Sequence, residues 1–286
     1  MKGTEMKRYI SRIIAVLLCL AMLIMSASCF GGADEEQPTS VETEATPLTV
    51  TVTFPEGLCC TEIADLLEKN SVCSADDFLN EVNNRDYIST LPVNIDNPDE
   101  RAFLCEGYVF PDTYEFYTGS SGAYAIKRFF ENFSTRLSGS YKARAEAMGF
   151  TLDEIIIIAS IIQEEAGNPA EMNKVSSVIH NRLNSPSFPY IQCDVAVKYL
   201  MNILKPRFDE DTYYNYCELY NIVSERKGLP AGPITNPGMD AIEAALSPAD
   251  TDYYYFVTDT DGNYYYASTY EAHRENCRKA GIQGNY

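Results

Sequence analysis

The sequence predicts an α+β protein in which a small α/β subdomain precedes a larger mixed α+β domain. Three observations predict it. Strand-like alternation over 49–54 gives way to helical periodicity from residue 61. Farther along, a helix-period stripe at 123–137 and an apolar run from Ile155 to Ile162 read as two longer helices. Tyrosine-rich stretches then flank Asp261-Gly262, a hairpin signal. With 286 residues, 45% of them hydrophobic, and with 21 Tyr and 13 Phe, the chain can bury a sizeable core and is not wholly disordered. The expected segments are an N-terminal leader at 1–32, a linker at 33–48, the small subdomain at 49–100 and the larger domain at 101–286.

The leader is read from charge. Lys2, Glu5, Lys7, Arg8 and Arg12 give the first 32 residues a sum of +3, so the rest of a chain of net charge −19 carries −22. An apolar run from Ile13 to Met25 follows, and no charge appears until Asp34. A basic start, a short apolar stretch and small residues make an export signal. Ser26-Ala27-Ser28-Cys29 suits lipid attachment at Cys29, although Ser26 stands where a larger aliphatic residue is usual. The uncharged stretch Ile13–Ala33 is just long enough for an uncleaved single-pass anchor. A plain cleaved signal is the third outcome. The expectation is a cell-membrane protein tethered by lipid or helix, with the cations fixing its N-terminus inside and the rest outside. Residues Ala33 to Leu48, rich in Glu, Thr, Pro and Ser, form a solvated tether.

Composition excludes several chemistries. The 41 Asp and Glu against 22 Lys and Arg disfavour a nucleic-acid partner. Two histidines, His180 and His273, cannot make a three-His zinc site, and nine cysteines lack the paired spacings of zinc or redox motifs. No metal and no cofactor is expected. Seven cysteines lie beyond the leader, and they read as buried small hydrophobes with no bridge assigned. No Gly-x-Ser-x-Gly elbow occurs, which disfavours a Ser-His catalyst.

In the small subdomain, Thr49 to Phe54 is a strand closed by Pro55-Glu56-Gly57. A helix follows with Ile63, Leu66 and Leu67 on one face, and a second begins at Ser74 with Phe78 and Val82 inward. Strand, helix, helix is the outline of a LysM-like module; a generic α/β unit fits equally. In the larger domain, Glu106 to Phe116 has alternating aromatics that suit a strand pair broken at Pro111-Asp112. A helix over Ala123–Leu137 then buries Ile126, Phe129, Phe130 and Phe133.

The segment that carries chemistry is Thr151 to Pro169. Thr151 and Glu154 form a capping box, and Gly167 and Pro169 stop the helix. At 100° per residue Glu165 lies beneath Ile158 and Ile161, while Gln163 and Glu164 point elsewhere. A carboxyl at the end of an apolar helix is desolvated, which raises its pKa toward what a general acid needs. The plain alternative is that the helix surfaces there and both glutamates are solvated.

Ala159-Ser-Ile-Ile-Gln-Glu-Glu-Ala166, Val178-Ile-His-Asn-Arg-Leu183 and Gln192-Cys-Asp194 resemble the MltG (YceG-like) family of endolytic murein transglycosylases. So do Glu106–Phe116, Gly228–Gly238, Tyr253–Val257 and Thr269-Tyr-Glu-Ala-His273, all in order from about residue 49 to the end. The resemblance implies that Glu165 is the essential glutamate, with Gln192, Asp194, Asn181, Ser160 and Tyr114 as substrate-binding candidates. It also implies a membrane-tethered enzyme with a LysM-like subdomain and a catalytic domain. Its substrate would be nascent peptidoglycan glycan strands, cut internally, with cell-wall synthesis enzymes at the membrane as candidate partners. Two departures stand out. The family's Tyr-Asn-Thr-Tyr is replaced by Tyr220-Asn221-Ile-Val, one residue out of place, and the family's His after an Asp-Gly turn is Tyr264.

Three functions follow as expectations. A lytic transglycosylase needs one glutamate, because the nucleophile is the substrate's own hydroxyl. A glycan hydrolase needs a second carboxylate, for which Asp194 is the candidate. A non-catalytic peptidoglycan-binding protein needs neither.

Overall fold

The structure, a computed structural model, describes residues 48–188 and 190–282. The expected leader and all but Leu48 of the expected linker lie outside the described residues. Among the described residues no helix is long and apolar enough to cross a membrane.

Strand β1 (Thr49–Thr53) turns Val52 inward and its threonines outward. Helices α1 (Cys60–Lys69) and α2 (Ala75–Val82) follow as expected. The start of α2 is capped by Ser74, whose Oγ accepts the amide N–H of Asp77 at 3.2 Å. The partner of β1 is β2 (Thr113–Tyr117), antiparallel, with Thr49 opposite Tyr117 and Thr53 opposite Thr113. This strand completes a β-α-α-β unit, and it comes from beyond the boundary expected at residue 100. Helix α3 (Gly122–Arg136) packs on α2 so closely that a Cβ on Gly122 would stand 2.6 Å from the Asp77 carbonyl. Phe129 of α3 meets Phe54 and Tyr114 at ring separations of 5.1 and 4.6 Å. One aromatic core thus joins elements from residue 49 through 136.

The strand pair expected across Pro111-Asp112 is not formed; only its second half, β2, is a strand. Residues 101–111 are irregular and buried. Their amides are satisfied from outside any sheet: Asn236 Oδ1 accepts from both Gly107 and Val109 at 2.9 Å. Gly107 has φ +89°, which a side chain would oppose.

The remaining elements are α4 (Tyr141–Ala147), α5 (Leu152–Glu165), α6 (Met172–Leu183), α7 (Val195–Tyr199) running into a π turn (Leu200–Leu204), α8 (Glu210–Tyr220), α9 (Met239–Leu246), the antiparallel hairpin β3 (Tyr255–Thr258) and β4 (Tyr264–Ala267), and α10 (Tyr270–Lys279). The axis is α5. Its capping box is made as read: Thr151 Oγ1 accepts from Glu154 N at 3.1 Å, and Glu154 Oε2 from Thr151 N at 2.7 Å. Six isoleucines on it are buried, each contributing on the order of 2 kcal/mol of gross stabilisation. Helices α6 and α9 cover it, and Arg101 enters its first turn to pair with buried Asp153 at 2.5 Å. All seven described cysteines are free thiols, and five of them are buried.

Candidate active site

The C-terminus of α5 opens into a cleft of about 350 Å³. Its walls come from α6, the loop 191–194, α7, β3 and α10, so the site is assembled by the packing of these elements around one helix end.

Glu165 is the last residue of α5 and lines this cleft, half-buried. Burial raises its pKa above the ordinary carboxylate value, opposed by a hydrogen bond from the Cys193 thiol and by the charges of Lys198 and Arg182; the Asp194 charge adds to the rise. The carboxyl therefore holds its proton more strongly than a solvated one. The backbone beneath it is fixed by Tyr264, whose hydroxyl accepts from Gly167 N at 3.0 Å and donates to the Glu165 carbonyl at 3.3 Å. Tyr264, the departure from the family's histidine, thus pins the turn that ends the helix.

The loop 191–194 alternates. Ile191 and Cys193 are buried, while Gln192 and Asp194 are exposed and line the cleft. Gln192 has φ +59°, an uncommon conformation for a residue with a side chain, held by its amide donating to the Ile222 carbonyl at 3.0 Å. Three of the six candidate residues, Glu165, Gln192 and Asp194, are therefore brought together.

The other three are not. Ser160 is fully buried; its hydroxyl donates to the Ile157 carbonyl at 2.7 Å and accepts from Ile234 N at 3.1 Å, so it ties the 228–238 loop to α5. Asn181 spends both amide protons on the carbonyls of Thr251 and Tyr253, at 2.9 and 2.8 Å. Tyr114 sits in the aromatic core, its hydroxyl donating to the Phe110 carbonyl at 2.7 Å. Each is a polar group in a matching segment whose hydrogen bonds are consumed by backbone or core. Gln163 and Glu164 face away from the cleft, as helical geometry predicts. Gln163 accepts from Gly238 N at 3.0 Å, and Glu164 lines a separate cleft beside α1.

Sequence reasoning missed Arg182, Lys198 and His273 as site residues. Buried Arg182 donates from Nε to the Tyr254 carbonyl at 2.7 Å and from Nη1 to the Ile191 carbonyl at 2.5 Å. Its guanidinium also lies over the rings of Phe188 and Tyr255. One side chain thus holds the hairpin against the 191–194 loop and keeps a positive charge beside Glu165. The signal was available: an arginine on the buried face of α6. His273 stacks on Tyr255 at 5.1 Å, and burial lowers its pKa, which favours the neutral ring. His180 lies outside the cleft, buried against Phe150 with Nε2 on the Ala245 carbonyl at 3.0 Å.

In chemical terms the cleft offers one carboxyl whose burial raises its proton affinity, a second and exposed carboxyl group, a fixed guanidinium and aromatic walls. Such a set suits proton transfer on a neutral substrate. Among the described residues no group of three or more His, Cys, Asp or Glu is placed to hold a metal ion.

The model of the YceG-like family matches residues 36–279. The endolytic murein transglycosylase of Streptococcus pneumoniae strain D39 is 29% identical over 264 residues, covering 86% of this chain and 46% of that protein. The chain thus spans about half the length of the streptococcal relatives. The endolytic murein transglycosylase of Bacillus subtilis is 30% identical over 243 residues, covering 81% of this chain and 65% of that protein. The crystal structure of a YceG-like protein from Listeria monocytogenes matches with a TM-score of 0.68 at 26% identity, covering 79% of this chain and 75% of that one.

Proposed function

We propose, from the premise that this chain belongs to the YceG-like family, that it is an endolytic lytic transglycosylase of peptidoglycan. The observation that carries this reading is Glu165, a half-buried carboxyl with raised proton affinity at the floor of an open cleft. Protonated Glu165 donates to the glycosidic oxygen between N-acetylmuramic acid and N-acetylglucosamine as the C1–O bond breaks. The resulting carboxylate takes the proton from the muramoyl 6-hydroxyl, and O6 bonds to C1. One strand then ends in a 1,6-anhydro ring and the other begins with a free 4-hydroxyl; no water is consumed. Arg182 favours the transient carboxylate, and Gln192, Asp194 and Tyr255 contact the sugars. The β-α-α-β unit serves as a LysM-like grip on the strand, and internal cutting ends strand elongation beside the synthesis enzymes.

A second reading is favoured by one observation: Asp194 shares the cleft with Glu165, as a hydrolase's second carboxylate would. Incubating the full chain with uncrosslinked glycan strands and weighing the products separates the two. Anhydro-muramoyl ends are expected; reducing ends bearing added water would replace this reading with hydrolysis. Strands bound but uncut would leave only a binding protein.

Residues 1–32 provide the tether, through the Ile13–Ala33 stretch or a lipid on Cys29. Cell fractionation is expected to recover the protein with membranes; a fully soluble extracellular form would exclude tethering. Tyr264→Phe removes two hydrogen bonds beneath Glu165, at about 1 kcal/mol each. Its expected effect is a kcat roughly three- to tenfold lower with KM little changed, since the turn loosens but the sugar contacts stay.

A further inference from the structure

Two clefts meet at one side chain. The Glu165 cleft has Lys198 in its wall, and so does a second cleft of about 230 Å³. The second lies between the approach to α1, with Gly57, Cys59 and Glu62, and the larger domain, with Glu164 and Thr235. Glu164 and Glu165, adjacent at the end of α5, each line one cleft, and the Lys198 charge lowers the proton affinity of both. Lys198 is exposed and makes none of the ion pairs within 4 Å found among the described residues. The contrast with Arg182 is direct: that guanidinium is spent on carbonyls and rings, whereas the lysine ammonium is uncommitted.

We propose that the two clefts form one groove and that Lys198, at their junction, receives a carboxylate carried by the glycan strand, which sets the strand's register across Glu165. This rests on the transglycosylase reading above. Elsewhere the groove carries Glu62 and Glu164 on one side and Asp194 on the other, and its other cation, Arg182, is held on the Tyr254 and Ile191 carbonyls. An anionic appendage is repelled along both walls and attracted at the junction, so attraction and repulsion select the same position. Sugar hydroxyls and acetamido groups, being neutral, occupy the remainder. Two groups on such a strand supply the carboxylate: a peptide stem, or the lactyl group of a muramoyl residue that has lost its stem.

The test uses the full chain with uncrosslinked strands in three forms: stems intact, stems intact but carboxylates amidated, and stems removed. Wild-type protein should favour carboxylate-bearing over amidated strands by roughly two- to fivefold in kcat/KM, through KM, the scale of an exposed ion pair. Lys198→Gln should bring that ratio to about one and Lys198→Arg should restore it. High salt should shrink the wild-type ratio. A preference seen for intact strands alone assigns the stem, and one kept on stripped strands assigns the lactyl group; both support the inference. It is overturned if wild type shows no preference, or if the Gln variant keeps it. It is also overturned if that variant loses kcat equally on every strand, which would mean that Lys198 acts through Glu165. Co-sedimentation of the protein with the same strands reads the preference without turnover. An inactive protein that still discriminates would therefore sink the transglycosylase reading and leave the role of Lys198 standing.

Discussion

Glu165→Gln is expected to lower kcat by about a thousandfold or more, while strand binding and the thermal midpoint stay near wild type. General acid–base catalysis is worth roughly a hundred- to ten-thousandfold, and in the proposed reaction one group performs both proton transfers. Gln keeps the size of the side chain and can accept a hydrogen bond from the Cys193 thiol, so the loss is chemical. A variant that retains a tenth or more of wild-type turnover would remove Glu165 from the mechanism. The same carboxyl sets the pH dependence. It must begin protonated, burial raises its pKa, and the Asp194 charge adds to that rise; the rate therefore falls as pH climbs through the raised value. Asp194→Asn removes a like charge and lowers the proton affinity of Glu165. The alkaline decline should then begin at lower pH, with kcat below that decline retained and any loss of sugar contact read in KM. If Asp194→Asn instead abolishes turnover, Asp194 takes part in the chemistry and hydrolysis becomes the better account.

What was legible in the sequence was what local interactions decide. The start of α5 is set by Thr151 and Glu154, three residues apart, and its depth by an unbroken apolar run. Those two facts place Glu165 at the end of a buried helix but leave open whether its carboxyl is solvated; the walls that half-bury it come from other elements. The partner of β1 was not legible, because Thr49 and Tyr117 are joined by a pairing that no short pattern encodes. The first half of the strand pair expected over Glu106–Phe116 does not form, for a similar reason. Its aromatics alternate as in a strand, yet its amides are satisfied by Asn236, more than a hundred residues away. Site residues divided along the same line. Gln192 and Asp194 reach the cleft because a buried-exposed alternation turns them outward. Ser160 and Asn181 enter the candidate set through the family resemblance, but distant backbone groups claim their hydrogen bonds. Arg182 falls on the buried stripe of α6 with Val175, Val178 and Ile179; the sequence shows that stripe but not what receives the arginine there. Its burial depends on carbonyls at Ile191 and Tyr254, which only the folded chain brings to it.

Glu106→Gln is expected to remove a contribution of about 2.5 kcal/mol by which Glu106 lowers stability as pH rises from about 5 to 8. Glu106 is 1% exposed, between the start of α1, the 228–238 loop and α7. Its carboxyl accepts from Cys60 N at 2.9 Å and Asn236 Nδ2 at 2.8 Å, with the Tyr199 hydroxyl at 3.4 Å. These donors favour the carboxylate, but burial outweighs them and lifts the pKa from an ordinary 4.5 to about 7. The folded state thus binds a proton that the unfolded state has released across that interval. The stabilisation is fully present below the unfolded value and is lost as pH rises through the folded one. A glutamine amide can accept from Cys60 and Asn236 and donate to Tyr199, and it does not titrate. His180 and His273, whose pKa values burial lowers, act in the opposite sense, losing stability as pH falls. The informative quantity is therefore the difference between wild type and variant, not either curve alone. Urea unfolding at pH 5 and pH 8 measures it. The variant should gain on wild type by about 2.5 kcal/mol between the two; parallel curves would mean that the carboxyl stays charged in its buried network throughout.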